Sequence, residues 1–212
     1  MTDPNYTALL IILDRSGSMS SIREDMVGGL EELIASQAAE PGMLTIDIVT
    51  FDDQIEHTHS FAQPDNVKVE LVPRGSTALY DAVGVGMNGF VQALAQLPEH
   101  ARPSTVLVTI VTDGQENASR EYTPKLVSQM ITQQREHSDW DISFLGANQD
   151  AILEARKIGI GADHAITYST TRAGVTSALA AQSRKAANRR MGRMTGFTEE
   201  ERGDALDDDS TL

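Results

Sequence analysis

The chain has no cysteine, which excludes disulfides, thiolate metal sites and a cysteine nucleophile. It has no apolar segment of transmembrane length, and the run Ala8–Leu13 is shorter than the hydrophobic region of a secretory leader. Its start, Met1-Thr2-Asp3-Pro4, is acidic rather than basic. A cytoplasmic protein of bacterial or phage type, with no membrane partner, is therefore expected. No G-x-x-x-x-G-K-[ST] loop occurs, which excludes a P-loop, and no G-x-S-x-G elbow occurs, which argues against an α/β-hydrolase serine. Basic residues are also short: 17 Lys and Arg stand against 31 Asp and Glu, for a net charge of −14. That balance argues against general nucleic-acid binding and would concentrate divalent cations.

The charge is unevenly spread. Residues 172–193 hold Arg172, Arg184, Lys185, Arg189, Arg190 and Arg193 with no acid, whereas residues 194–212 hold seven acids against Arg202. The remaining 171 residues carry the whole net charge of −14. The 212 residues suffice for one α/β domain, taken as 1–193, plus a short appendage. Residues 194–212 lack a hydrophobic period and are expected to be a disordered acidic tail. One alternative is that this tail folds back on the basic helix, or offers a carboxylate to another copy and so drives self-association.

Taken in order, the chain alternates strand-like and helix-like segments. Leu9–Leu13 is a purely aliphatic run suited to a strand buried on both faces of a parallel sheet. Ser20–Ala39 has Met26, Leu30, Leu33 and Ile34 at helical spacing and stops at Pro41-Gly42. Gly28-Gly29 inside it predicts a close backbone approach to the sheet. Leu44–Phe51 is a second strand and Gln54–Phe61 a third, paired to it as a hairpin at the sheet edge. Ser76-Thr77 then caps a helix running to about Leu97. Thr105–Thr112 is a strongly apolar strand, Tyr122–His137 a helix begun by Thr123-Pro124, and Trp140–Ala147 a strand. A short helix over Asp150–Ile158, a strand near Ala165–Tyr168 and a helix over Thr171–Arg190 complete the series. The implied architecture is α/β: a doubly wound, Rossmann-like, mostly parallel six-stranded sheet with one antiparallel edge strand and helices on both faces.

The first strand ends on a carboxylate, and hydroxyls follow at alternate positions: Asp14-Arg15-Ser16-Gly17-Ser18. Three oxygens can thus converge beyond the carboxyl end of the strand, the edge where open α/β sheets bind ligands. Oxygen ligation with one charged and two neutral groups suits a hard cation such as Mg²⁺ and does not suit zinc. Thr105–Thr112 likewise ends on Asp113-Gly114, and Gly75-Ser76-Thr77 supplies a third loop at a helix start. Neighbouring strand ends lie ~4.8 Å apart, so Asp14 and Asp113 can share one ion if their strands are adjacent.

This pattern resembles the metal-ion-dependent adhesion site of von Willebrand factor type A (vWA) domains. The likeness runs over residues 6–190: Asp14-x-Ser16-x-Ser18, then Gly75-Ser76-Thr77 with Ala78-Leu79-Tyr80-Asp81 behind it, then Thr112-Asp113-Gly114. The stretch Phe144–Asp150 is similar to a later strand-loop of small stand-alone bacterial members. The resemblance implies metal ligands at Asp14, Ser16, Ser18, Thr77 and Asp113 and Mg²⁺ as cofactor, with Mn²⁺ or Ca²⁺ as substitutes. It also implies a non-enzymatic, protein-binding role in which a Glu or Asp of a partner completes the coordination shell.

Other features carry less. Gly84-Val85-Gly86-Met87-Asn88-Gly89 spells G-x-G-x-x-G but follows a helical segment rather than a strand, so small-residue helix packing is the reading. His57 and His59 lie on one side of a strand with no third ligand nearby in sequence, so an exposed edge explains them. Asn117-Ala118-Ser119 matches a glycosylation sequon that has no meaning without secretion. Two alternatives to the protein-binding reading stand: a metal-dependent hydrolase or phosphotransferase using the same ion, and a contact module working through the basic helix 172–193.

Overall fold

A computed structural model of the chain describes residues 2–147, 151–193 and 196–206. Strand β1 (Asp3–Asp14) leads to helix α1 (Arg23–Ala39), β2 (Met43–Phe51) and β3 (Ile55–Ala62). Helix α2 (Leu79–Gln96), β4 (Pro103–Thr112), α3 (Pro124–Ser138) and β5 (Asp141–Ala147) follow. The chain continues through α4 (Ala151–Lys157), β6 (Ala165–Tyr168), α5 (Arg172–Arg190) and α6 (Glu199–Leu206). The six strands form one sheet in the order β3-β2-β1-β4-β5-β6. All neighbours pair in parallel except β2 and β3, so β3 is the antiparallel edge strand expected from the hairpin-like sequence.

The aliphatic run of β1 divides between two cores because successive side chains point to opposite faces. Leu9, Ile11 and Leu13 enter one cluster with Leu30 and Leu33 of α1 and Val175 and Leu179 of α5. Leu10 and Ile12 enter the other with Val83 and Met87 of α2, Val127 and Ile131 of α3 and Ala155 of α4. The strand is central, fully covered, and flanked by β2 and β4. The chain leaves β1 towards β2 and later returns to β1's other side as β4, so their carboxyl ends meet at the point where the winding reverses.

Two glycine readings are sharpened. The close approach at Gly28-Gly29 is to helix α5 and not to the sheet: a Cβ on Gly29 would lie 2.5 Å from Leu179, while Gly28 faces open space. The G-x-G-x-x-G stretch lies in α2, where Gly84 backs onto the Tyr122 ring and Gly86 onto Ile12 and Val49 of the sheet. Small-residue packing is therefore what these glycines provide.

The sequence does not anticipate the order beyond α5. Residues 196–206 depart from the expected disorder: they fold back onto α5 and β6, with Ala205 fully buried and Phe197 6% exposed. A hydrophobic period is missing because few side chains anchor the segment, and polar contacts do the rest. Glu201 pairs with Arg184, Arg202 donates to the carbonyls of Ala162 and Ala165, and the Ser169 amide donates to Ala205. The predicted tail residues 207–212, and Asn148–Asp150 of the strand-loop, lie outside the described residues.

These contacts also change the reading of the basic helix, which is not a free cationic face. Arg184 is held by Glu201, Arg189 by Asp139, and Arg190 donates to the carbonyls of Gln37 and Pro41. Lys185 is 1% exposed and paired with Asp141, which also accepts from His164 at 3.1 Å. Burial opposes ionisation of Asp141, but the His164 hydrogen bond and the Lys185 charge outweigh it and hold the carboxyl at about 2.

Two predictions follow from this packing. Gly28→Ala should stabilise the chain by about 0.5–1 kcal/mol, by helix propensity alone. Gly42→Ala should destabilise it by about 1–3 kcal/mol, because φ there is +99° and a Cβ would meet the Asn5 carbonyl oxygen at 2.5 Å. Urea unfolding of the two variants tests the opposite signs. For Asp141, folding lowers the pKa from 3.8 to about 2, so its contribution is present above pH 3.8 and lost as pH falls towards 2. Asp141→Asn should cost about 3–5 kcal/mol at neutral pH and flatten the pH dependence of the urea midpoint in that acid window.

Candidate metal centre

Asp14 is the last residue of β1 and is completely buried. One carboxylate oxygen accepts the Ser16 amide at 2.6 Å and the other accepts the Thr112 hydroxyl of β4 at 2.5 Å. Ser16 and Ser18 place their hydroxyls 3.1 Å apart, and Ser18 donates to Asp113 at 2.6 Å. Thr77 arrives from the loop before α2. A Cβ built on Gly114 would lie 2.8 Å from the Thr77 hydroxyl, 3.5 Å from that of Ser18 and 3.6 Å from that of Ser16. The structure thus brings the five residues expected from the sequence to one edge: the Ser16, Ser18 and Thr77 hydroxyls gather beside Gly114, and Asp14 and Asp113 join them through Ser16 and Ser18. Ser16 and Thr77 are buried, while Ser18 is exposed and Asp113 partly so, giving the group an outward side.

The electrostatics are those of anions facing each other. Burial pushes the Asp14 carboxyl up to about 6, against the hydrogen bonds from Thr112 and Ser16, and the charge of Asp113 adds to the rise. Burial also raises Asp113, against the Ser18 hydrogen bond. Among the described residues no basic side chain pairs with either carboxylate. Two carboxylates and three hydroxyls gathered at one strand edge are the oxygen donor set that fits a small hard cation. Among the described residues no group of three or more His, Cys, Asp or Glu side chains is arranged to hold a metal ion, so a zinc-type site is not built and the His57 and His59 pair gains no third ligand.

Thr77 does not act as the helix cap that its position suggests. Ala78 takes the cap position of α2 without a side-chain bond. The first amides of the helix are satisfied instead from the loop after β4: Tyr80 donates to Glu116 at 3.0 Å and Asp81 to the Ser119 hydroxyl at 3.1 Å. Asn117 brackets Thr77, its side chain accepting the Thr77 amide and its own amide donating to the Thr77 carbonyl. Asp81 returns the connection by accepting the amides of Arg120, Glu121 and Tyr122. The Thr77 hydroxyl is thereby left facing Gly114.

A second cluster holds the first loop. Arg15, next to Asp14, donates to Asp52 at 3.2 Å and to both oxygens of Glu56 at 2.7 and 2.8 Å. Arg74 bridges the same acids from the loop that carries Gly75 and Thr77. Burial of Asp52 opposes its charge, but Arg74, the Gln54 amide and Arg15 hold the carboxyl below its usual range. Sequence reasoning missed Thr112, Glu116, Asn117 and this ionic cluster as supports. Their only sequence signal is proximity to the motif loops, and Asn117-Ala118-Ser119 reads there as an idle sequon.

No protein-family profile and no curated protein sequence matches the chain. Solved structures do match. The proximal thread matrix protein 1 of the mussel byssus aligns with a TM-score of 0.63 at 15% identity, over 88% of this chain and 48% of that one. A von Willebrand factor type A structure from Catenulispora acidiphila aligns at 0.61 and 17%, over 87% and 43%. The manganese-loaded TRAP protein of Plasmodium vivax aligns at 0.54 and 12%, over 79% and 70%. The chain spans a little under half the length of the first two. The molecule is thus a doubly wound α/β protein with a polar site at its winding reversal. Its fold is the vWA fold.

If these residues hold a divalent cation, Gly114→Ala should weaken its binding by about tenfold or more by crowding the Thr77 hydroxyl. Without metal the variant should still fold, since Gly114 is in no core cluster, with a thermal midpoint lowered by roughly 2–4 °C for each kcal/mol that the crowding costs. Mn²⁺ titration calorimetry beside a thermal melt measures both.

Proposed function

We propose that the chain is a divalent-cation-dependent protein-binding module. The carrying observation is that the Ser16, Ser18 and Thr77 hydroxyls gather beside Gly114 with the Asp14 and Asp113 carboxylates hydrogen-bonded to the same loops. These five residues would hold Mg²⁺, or Mn²⁺ or Ca²⁺ in its place, directly or through water. When bound, the ion supplies an electrophilic point with room for one further oxygen ligand. Hydroxyls fill positions without cancelling charge, so the ion keeps its attraction for an incoming carboxylate. The proposed partner is a protein that presents a Glu or Asp to the outward side, where Ser18 and Asp113 are accessible.

The chain's own residues prepare that site. The Thr112 and Ser16 bonds fix both Asp14 oxygens, and Asn117 fixes the Thr77 backbone on both sides. The Arg15–Asp52–Glu56–Arg74 cluster holds two of the three contributing loops together without placing a cation in the cavity. Nothing in this arrangement requires bond-making, which favours an interaction module over an enzyme. Among solved proteins of the same fold, the Plasmodium vivax TRAP structure is manganese-loaded, which supports a metal in this one. Among the described residues no helix is long and apolar enough to cross a membrane, and a soluble cytoplasmic setting is part of the proposal.

Cation binding to the folded state should raise stability by about 2.7 kcal/mol at a hundredfold excess over Kd. For a chain of this size that is a rise of roughly 5–10 °C in thermal midpoint. Asp14→Ala should abolish the rise and abolish capture of the native partner, with chelator reproducing both losses in the wild type. Full partner capture by Asp14→Ala in excess chelator would overturn the proposal.

A further inference from the structure

The opposite edge of the sheet, where β5 and β6 begin, holds a cavity of about 350 Å³. Its walls come from the end of α3 (Arg135, Glu136), the start of β5 (Trp140, Asp141), His164 and the end of α5 (Arg189). That volume falls in the range of small-molecule sites. Trp140 is 8% exposed and its indole is fixed edge-on against Phe90, with ring centroids 5.7 Å apart. It gives the cavity a rigid flat wall.

The lining carries Arg135 and Arg189 against Glu136, Asp139 and Asp141, and most of these charges are paired. Lys185, buried beneath it, is paired with Asp141, and His164 lies between Asp141 and Asp163 at 3.1 and 3.3 Å. Arg189 is paired with Asp139, whose side chain is 81% exposed. Arg135 differs: its guanidinium makes one long bond, 3.5 Å, to the Gly159 carbonyl, and among the described residues no carboxylate pairs with it. Its charge also works against that of buried Lys185. A guanidinium in a half-buried wall normally meets a carboxylate or phosphate with its planar fork. Here none of the described residues supplies one, and Arg135 lines the cavity.

We propose that this cavity binds a small organic oxyanion, its carboxylate or phosphate held by Arg135 and its body lying against Trp140. The site is separate from the candidate metal centre, from which it is removed by the length of the strands. Arg135 provides the charge that the ligand neutralises, and Trp140 the contact that distinguishes an organic anion from a free ion. The carboxylate of Glu136, and that of Asp139 beside its partner Arg189, oppose the ligand and limit its affinity.

Trp140 is the only tryptophan of the chain, so its fluorescence reports on this cavity directly. The full chain is titrated with glycerol 3-phosphate, with succinate and with neutral glycerol. A saturable change with one of the two anions, and none with glycerol, is expected, and the responding anion separates a phosphate site from a carboxylate site. Arg135→Gln should weaken that response by about tenfold or more. Glu136→Gln, at an exposed position where folding is not at stake, should tighten it severalfold. Absence of a saturable response to both anions overturns the proposal, as does a response that glycerol reproduces. So does a response whose midpoint neither variant shifts.

Discussion

The hydrogen bond from Thr112 to Asp14 is the interaction on which the carboxyl edge of this molecule depends. It joins the ends of β1 and β4 at the winding reversal and steadies a carboxylate with no exposure to water. Burying an acid without a basic partner is expensive, and the elevated pKa of Asp14, about 6, expresses that cost. The protein accepts the cost where its scaffold is most rigid, on a strand covered on both faces. Every other group at the edge is arranged around that buried charge.

The acids of the chain accordingly divide into two kinds. Asp52, Glu56, Asp81 and Glu116 are satisfied by guanidinium groups or backbone amides and act as ties between loops. Asp14 and Asp113 are met only by hydroxyls and amides of their own loops and neighbours, with no guanidinium to neutralise them. The first kind makes the second possible, because three loops must be immobilised before two like charges can be held close. The same division recurs at the other edge, where Asp141 is locked by Lys185 and His164 while Arg135 is left facing a cavity.

Much of the architecture was legible because it is written in local patterns. The aliphatic run of β1, the apolar β4 and the Thr123-Pro124 helix start each follow from side-chain type and spacing, and the Thr123 hydroxyl does cap α3. That Asp14, Ser16, Ser18, Thr77 and Asp113 lie together at one sheet edge was legible too, since strand ends and their following residues repeat one design. What stayed hidden rests on contacts between distant residues. Asn117 bracketing Thr77, Glu116 serving the start of α2, and Gly29 yielding to Leu179 have no periodicity to betray them. Order in residues 196–206 was missed for the same reason: Arg184, Glu201 and Arg202 read as charge runs until their partners are known.

Segment 196–206 has one more consequence, for how copies of this molecule can associate. The sheet has two edges: β3, whose pairing to β2 carries two register shifts and which turns at Phe61 through a φ of +44°, and the four-residue β6. Arg202 occupies the carbonyl of Ala165 in β6, and the chain on either side of it binds Asp163 and Ser169. Neither edge therefore offers a straight row of free backbone groups, the template that strand-by-strand polymerisation needs. Assembly of this protein, with itself or with others, is left to side chains on loops and helices, where recognition can be selective.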